Sequence, residues 1–370
     1  MSESFITILA DDLTGAAEIA GILRRFGQQP ALIHHRHFIR TPLLVQVINT
    51  DSRLLQPQHA RTRIRQVLSK PTCYGLFFKK IDSLYRGPIG PEIDATLEAL
   101  SRNTAVVLAH NPSRNRCVDD GLYTVERVPL DQTSFRDDPE YPRWTAEVCQ
   151  YVESRHPVRV RQPGQSVVDG AINILCASTS DEVQDWAGRI NDSMLSVGAA
   201  DFLTHLLIQR GYQPVVMPPA VFNLPRLIVA GSASAYARSL PEKARLMNIP
   251  AVSVTPDPQQ AFRQILDLFK NHTRVLLYIG QKVKVDRLLA VRLQQDMSGC
   301  VRQILQHLPV AHLCVDGGAT AASVIEQMKW KSLIVTEEIF PGVVTLQVNS
   351  DIRLTIKPGS YAWPDSVWQS

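Results

Sequence analysis

The stretch ILADDLTGAAEIAG, residues 8–21, joins the end of an apolar run to two adjacent carboxylates and a segment rich in alanine. The apolar run predicts a β-strand over 5–10, and apolar residues three and four positions apart predict a helix over 15–26. Asp11 and Asp12 therefore stand where a strand ends and a helix begins, which is the edge at which open α/β sheets bind ligands. In the simpler alternative, one of the two carboxylates only caps the helix.

Short apolar runs and helical patterns alternate through the first two-thirds of the chain. Further strands are predicted at 31–35, 43–49, 74–81, 104–109 and 172–177, and further helices at 57–69 and 88–100. This alternation predicts an α/β protein whose mostly parallel sheets are flanked by helices. The segment 110–170, rich in Asn, Asp, Arg and Pro, breaks the alternation and predicts a long functional loop.

The length of the chain indicates two domains. Its 370 residues, of which 45% are hydrophobic, exceed the roughly 250–300 residues at which a single core stops growing. The stretch GYQPVVMPPAVFNLP, residues 211–225, contains several prolines and predicts a linker. We therefore predict domains over 1–222 and 223–370, with a ligand cleft between them.

Composition excludes several classes of protein. The 39 basic and 35 acidic residues give a net charge of +4, which is too small for coating a nucleic acid and suits a small anionic ligand. The six cysteines form no C-x-x-C pair, so we expect neither a zinc site nor a disulfide framework. No signal peptide and no membrane-spanning run is recognisable, so a cytoplasmic protein is expected, with a homodimer as the commonest assembly.

A second polar cluster follows a predicted strand in KKIDSLYRGPIGPE, residues 79–92. Lys80 and Arg86 flank Asp82 and Ser83, and two cations beside an acid and a hydroxyl suit a ligand that carries both a carboxylate and hydroxyl groups. The alternative is a set of surface salt bridges without a ligand.

The C-terminal part contains three small-residue turns, AGSAS (230–234), DGGAT (316–320) and KPGSY (357–361). Glycine lets the backbone approach a ligand closely, and free amide groups at a helix start attract phosphate. Each turn alone could be an ordinary connection. The chain contains neither the G-x-x-x-x-G-K-[ST] phosphate loop nor a G-x-G-x-x-G turn after a strand, so phosphate must be held in another way.

Taken together, these motifs resemble the four-carbon acid sugar kinase family, whose members phosphorylate threonate, erythronate or 3-oxo-tetronate with ATP. The likeness spans nearly the whole chain: ADDLTGA is a specific marker, and KKIDSLYRGPIGPE is similar to the family's K-x-D-S-T-L-R-G stretch. The resemblance implies that the N-terminal domain binds the sugar acid, for which we expect contacts from Asp11, Thr14, Lys80, Asp82, Ser83 and Arg116, with Asp12 and Arg86 in catalysis. It implies nucleotide contacts in the C-terminal domain from Gly231, Ser232, Ser234, Gly317, Gly318, Ala319, Thr320, Lys357 and Gly359.

The sequence also departs from the family pattern. Leu84 and Tyr85 replace the Thr and Leu of the sugar motif, and Ala319 stands where the family has an acid. Ala237 and Leu240 replace a Thr and a Gln that follow the first turn in the family. These changes leave open an alternative function, a catalytically weakened homologue that binds a sugar acid as a sensor or regulator.

The expected reaction is transfer of the γ-phosphoryl group of ATP to the terminal hydroxyl of the sugar acid. Asp12 would accept or orient the proton of that hydroxyl, and Asp11 or Asp82 would fix other hydroxyls. Magnesium would be carried by ATP, so we expect no separate metal site on the protein. A phosphate-binding lyase or epimerase is a further alternative, and it would form product without a nucleotide.

Overall fold

The computed structural model describes residues 5–34, 44–69, 75–138, 140–217, 220–232, 235–280, 287–359 and 362–369. The chain divides into two compact units, Met1–Val215 and Val216–Ser370. The predicted α/β class, with mostly parallel strands and flanking helices, is confirmed. The boundary predicted from the proline-rich stretch falls a few residues later, and the assignment of one ligand to each domain stays a prediction. Among the described helices, none is both long and hydrophobic enough to span a bilayer.

The first unit contains a set of parallel strands and a small antiparallel sheet. Its strands are β1 (Ile6–Ala10), β2 (Ala31–His34), β3 (Val45–Asn49), β4 (Leu76–Lys80), β5 (Thr104–Leu108), β6 (Arg116–Asp119), β7 (Leu122–Val125), β8 (Val128–Pro129), β9 (Val158–Arg161), β10 (Ile172–Leu175) and β11 (Met194–Gly198). Its helices are α1 (Leu13–Arg25), α2 (Pro57–Val67), α3 (Ile89–Ala99), α4 (Ser180–Gly188) and α5 (Ala200–Gln209). The parallel sheet has the order β2-β3-β1-β4-β11-β5-β10-β9. The central strands β1, β3, β4 and β5 are buried along their whole length, which explains why apolar residues predominate in them.

Two parts of the first unit differ from the sequence prediction. Strand β11 lies between β4 and β5, in a stretch for which no strand was predicted. The segment 110–170 is not one long loop, because β6, β7 and β8 form a small antiparallel sheet. Asp120 and Gly121 both have positive φ, as a type I′ hairpin turn requires, and Glu126 and Arg127 repeat this at the next turn.

Helix α1 begins directly after the two carboxylates of the opening stretch. Asp12 is its N-cap, and its carboxylate accepts a hydrogen bond from the Gly15 amide at 2.8 Å. Ile19, Ile22 and Leu23 are buried on one face of the helix, which packs against β1 and β3. The strand and the helix that flank Asp12 are therefore both anchored in the core, so the position of this side chain is well defined.

The second unit also consists of strands and helices that alternate along the chain. Its strands are β12 (Arg226–Ala230), β13 (Ala251–Ser253), β14 (Arg274–Tyr278), β15 (His312–Asp316), β16 (Ser332–Phe340), β17 (Val343–Gln347) and β18 (Arg353–Lys357). Its helices are α6 (Ala235–Leu246), α7 (Pro258–Leu268), α8 (Arg287–His307) and α9 (Gly318–Gln327). The order is β13-β14-β12-β15-β18-β17-β16, parallel from β13 to β18 and antiparallel beyond.

Candidate active site

Polar side chains collect at the carboxyl edge of the first sheet. Asp11 and Asp12 follow β1, Asp82 follows β4, and Arg53 lies in the turn after β3. These three strands are parallel neighbours, so their carboxyl ends meet at one edge. The sequence predicted the three acids but missed Arg53.

Arg53 links the acids that the sequence predicted. Its guanidinium group binds both oxygens of Asp11, with Nε 2.8 Å from Oδ2 and Nη2 2.9 Å from Oδ1. The same Nη2 donates to Asp12 Oδ1 at 2.7 Å, and Nη1 lies 3.6 Å from Asp82 Oδ1. The backbone fixes this arrangement, because the amides of Ser52 and Arg53 both donate to the carbonyl oxygen of Asp11. One arginine therefore contacts three carboxylates from two strand ends.

This arrangement keeps the buried acids charged. Burial alone would raise the pKa of Asp11, but Arg53, with Lys79 and Lys80 nearby, lowers that pKa below its usual value. Burial acts against ionisation of Asp82 too, and Arg53 and Arg86 outweigh it, so the pKa of Asp82 lies far below its usual range. Both carboxylates are consequently ionised at neutral pH.

Asp12 is the most accessible of the three acids. Its side chain is 22% exposed, whereas those of Asp11 and Asp82 are 3% and 8% exposed. Hydrogen bonds from the Thr14 hydroxyl, the Gly15 amide and Arg53 hold its carboxylate in place. Asp12 can therefore meet a ligand, while Asp11 is committed to Arg53.

Arg86 is held by two carboxylates. Its Nε and Nη2 each lie 2.9 Å from an oxygen of Asp82, and its Nη1 lies 3.1 Å from Asp138 Oδ2. The chain Asp12–Arg53–Asp82–Arg86 is thus continuous, so the two residues predicted to be catalytic belong to one network. Asp138 was missed because it comes from the segment that was predicted to be a loop.

Leu84 and Tyr85, which depart from the family's sugar motif, have buried side chains that belong to the hydrophobic core. Tyr85 has a positive φ of 59°, and Arg143 donates to the carbonyl oxygens of both residues. The two replacements therefore change the packing behind the turn.

The lysine predicted to contact the substrate is also buried. The Lys80 ammonium group donates to the Ile81 carbonyl at 2.9 Å and lies 3.4 Å from Glu18 Oε2. Arg114 pairs with the other oxygen of Glu18 at 3.1 Å. Ser83 accepts a hydrogen bond of 2.7 Å from Arg116 Nη1, which joins the last two predicted substrate residues.

The second unit brings its three predicted turns together. The Gly231 amide donates to the carbonyl of Asp316, and the Gly317 amide donates to that of Lys357. A Cβ atom on Gly231 would lie 2.2 Å from Thr320 Oγ1, and one on Gly359 would lie 2.3 Å from Ser232 Oγ. These contacts require glycine at both positions. Ser234 lies outside the described residues.

The start of α9 offers backbone amide groups. Gly317, with φ of 99°, is its N-cap, and within the described residues no side chain caps this helix. Gly318 is the first helical residue, and the Ala319 carbonyl accepts a hydrogen bond of 2.8 Å from Gln294. These features fit a turn that receives phosphate oxygens.

Lys357 is not exposed in its turn. Its side chain and that of Asp316 are both fully buried, and its Nζ lies 2.9 Å from Asp316 Oδ1. The ammonium group also lies 5.0 Å from the centre of the Tyr236 ring and 5.2 Å from that of Trp363. Burial raises the pKa of Asp316 to about 6 although Lys357 opposes the shift, and burial lowers the pKa of Lys357. Sequence reasoning missed Asp316 as the partner of this lysine.

No group of three potential metal ligands occurs among the described residues. The carboxylates at the edge of the first sheet are instead bound to arginine.

Comparisons with known proteins identify the family of the chain. Residues 6–190, half of the chain, match the family model described as a sugar-binding N-terminal domain. A D-erythronate kinase of Heliobacterium modesticaldum is 28% identical over an alignment that covers 91% of this chain and 89% of that protein. A D-threonate kinase of Salmonella typhimurium is 25% identical, with 93% and 92% covered. A crystal structure of a Haemophilus influenzae protein, 18% identical, superposes with a TM-score of 0.74 over 98% of this chain and 99% of that one, which shows the shared fold.

The relatives define the class as kinases of sugar acids, which are transferases. The chain belongs to the four-carbon acid sugar kinase family, and its N-terminal half is the sugar-binding domain of that family. The resemblance predicted from ADDLTGA and the second motif is thereby confirmed.

Proposed function

We propose that the protein transfers the γ-phosphoryl group of ATP to a hydroxyl, the terminal one, of a four-carbon sugar acid. The candidate substrates are threonate, erythronate and 3-oxo-tetronate. The observation that supports this most directly is the Arg53-linked network, in which a partly exposed, hydrogen-bonded Asp12 stands beside two buried acids and Arg86. Phosphoryl transfer depends on positioning and charge neutralisation, and such a network supplies both.

Asp12 accepts or orients the proton of the attacking hydroxyl. Three donors fix its carboxylate, so this carboxylate keeps one orientation when the substrate arrives. Asp11 and Asp82 are positioning residues, because their oxygens hold Arg53 and Arg86. Arg86, whose side chain is 31% exposed, neutralises negative charge that develops on the transferred group.

The nucleotide is held by the turns of the second unit. The residues proposed for this role are Gly231, Ser232, Ser234, Gly317, Gly318, Ala319, Thr320, Lys357 and Gly359. When bound, ATP supplies the phosphoryl group and magnesium offsets phosphate charge. Lys357 contributes from the interior, where its ion pair with Asp316 ties the ends of β15 and β18 together.

The cytoplasm is the proposed compartment, since it supplies ATP and keeps thiols reduced. The cysteines at positions 117, 149, 176, 300 and 314 are free thiols, which agrees with a reducing compartment. A homodimer is the proposed assembly, only because two-fold dimers are the commonest oligomers of soluble proteins.

A screen for ADP release tests the function. The full-length protein is incubated with ATP, magnesium and each four-carbon sugar acid, and ADP is measured with a coupled assay. We expect ADP release with at least one acid and none without acid. If calorimetry shows a sugar acid binding while ATP with magnesium does not bind, the protein is a sensor instead of a kinase. Product formed without nucleotide would point to a lyase or epimerase.

A further inference from the structure

Most cations at the edge of the first sheet are already paired with carboxylates. Arg53 and Arg86 bind the aspartates of the network, Lys79 lies 2.5 Å from Glu92, and Lys80 and Arg114 share Glu18. Arg143 is buried and donates hydrogen bonds to the carbonyl groups of Tyr141, Leu84 and Tyr85. Each of these side chains already has a carboxylate or carbonyl partner.

Arg116 is different. Its guanidinium group donates to the neutral hydroxyl of Ser83 at 2.7 Å and lies 5.7 Å from the centre of the Phe135 ring. Within the part of the chain that the structure describes, no carboxylate pairs with it. Since an arginine has five N–H donors, Ser83 leaves most of them for a ligand.

Arg116 also lines a groove large enough for a small molecule. The groove has a volume of about 470 Å³, and its walls include Arg114, Thr133, Ser134 and Phe135. Glu126 lines it as well, but this residue is exposed, so solvent screens its charge. The volume falls within the range of ligand pockets, roughly 300–1,000 Å³. Through Ser83 the groove adjoins the motif that contains Asp82 and Arg86.

We propose that Arg116 binds the carboxylate of the substrate in this groove and so makes the enzyme select sugar acids over neutral polyols. This inference rests on the proposed function. A carboxylate that leaves water needs a cation and several N–H donors, and a planar guanidinium group supplies both. The Phe135 ring packs near one face of that group, and this packing fixes the direction of the N–H donors at its edge.

The test compares each four-carbon acid with the neutral polyol of the same carbon skeleton, for example erythronate with erythritol. Values of kcat/KM are measured for the wild type, Arg116→Gln, Arg116→Lys and Arg136→Gln. Arg136 is the matched control, because it is an exposed arginine on the short 3₁₀ helix Ser134–Asp137 beside the groove.

We expect Arg116→Gln to lower kcat/KM for the acid roughly 10- to 100-fold more than kcat/KM for the polyol, the loss of one charged hydrogen-bonded contact. Arg116→Lys should recover part of the preference, and Arg136→Gln should match the wild type. An acid preference that survives in Arg116→Gln would overturn the inference and leave the kinase function standing.

Calorimetric titration of the acid without ATP provides a second readout that does not depend on turnover. The wild type should bind the acid and Arg116→Gln should bind it at least about 10-fold more weakly. If the wild type binds the acid and releases no ADP, the proposed function fails while this comparison still decides the role of Arg116. If Arg116→Gln binds the acid as tightly as the wild type does, the inference is wrong.

Discussion

In both units, a buried carboxylate lies at the carboxyl end of a parallel strand and pairs with a cation. The pKa values of the two carboxyl groups nevertheless shift in opposite directions. Asp11 in the first unit accepts two hydrogen bonds from Arg53. The positive charges of Lys79 and Lys80 lie nearby, and the pKa of Asp11 is lowered. Asp316 in the second unit has one lysine partner, itself fully buried, and its pKa rises to about 6. The number of cations and donors therefore decides whether burial or attraction prevails.

The difference matches the proposed roles of the two regions. Acids that remain charged over the whole physiological range suit a site that orients hydroxyl groups. A single buried pair whose acid titrates near pH 6 suits a structural tie between neighbouring strands. The predictions below test this comparison.

Removal of Arg53 should have the largest effect. Arg53→Ala leaves Asp11 buried without its partner and deprives Asp12 and Asp82 of a shared cation, so the free energy of unfolding should fall by roughly 3–5 kcal/mol. Kinase activity should fall below that of any single aspartate variant. Urea denaturation and steady-state kinetics measure both effects. Arg65→Ala is the control, because Arg65 and its partner Glu98 are 47% and 57% exposed, and it should cost less than about 1 kcal/mol.

Replacement of Asp12 should separate catalysis from folding. Asp12→Asn keeps the shape of the side chain and removes the proton acceptor, so kcat should fall roughly 100- to 1,000-fold. Asp12 is partly exposed, so thermal unfolding should change little, in contrast to Asp11→Asn, which should destabilise the first unit. Near-normal turnover of Asp12→Asn would remove this residue from the mechanism.

The buried pair of the second unit should reveal itself in the pH dependence of stability. A raised pKa means that the folded state holds a proton between about pH 4 and 6 that the unfolded chain has lost, so Asp316 contributes stability at low pH that is lost as pH rises through 6. The double variant Asp316→Asn, Lys357→Met replaces both charged side chains with neutral ones and serves as the reference. The unfolding free energy of the wild type minus that of this variant should therefore decrease by about 1–3 kcal/mol between pH 4 and 6.

An exposed pair in the same unit is the control for this measurement. Lys243 lies 3.1 Å from Asp365, whose side chain is 83% exposed. The double variant Asp365→Asn, Lys243→Met should show no such change with pH. A flat difference for the buried pair would mean that its acid titrates like an ordinary surface aspartate.

The smallest effect is expected at Phe135. Phe135→Leu keeps an apolar side chain and removes the aromatic ring beside Arg116, so kcat/KM for the sugar acid should fall roughly 2- to 5-fold. Activity on the neutral polyol should not change. An equal loss on both substrates would show that the ring supports the groove in general and not the arginine.

The sequence allowed prediction of what is local in this molecule. The strand, the two carboxylates and the helix of the opening stretch are neighbours along the chain, and so are Asp82 and its partner Arg86. The hairpin turn at Asp120 and Gly121 was missed, although Asp-Gly between short strands is a strong local hairpin signal.

The remaining parts depend on which strands become neighbours. Arg53 reaches Asp11 only because β3 lies beside β1, and Lys357 reaches Asp316 only because β18 lies beside β15. Neither strand order can be inferred from periodicity, because every buried parallel strand shows the same apolar run. The two cation partners that explain the titration of the buried acids were therefore beyond sequence reasoning.

The central claim is that the sugar acid binds at the Arg53-linked carboxylates of the first unit. A crystal structure of the protein with a bound four-carbon acid tests it most directly. We expect a substrate hydroxyl within hydrogen-bond distance of the Asp12 carboxylate, with Arg86 close to the same end of the ligand. An acid bound elsewhere, with Asp12 still facing solvent, would contradict the account.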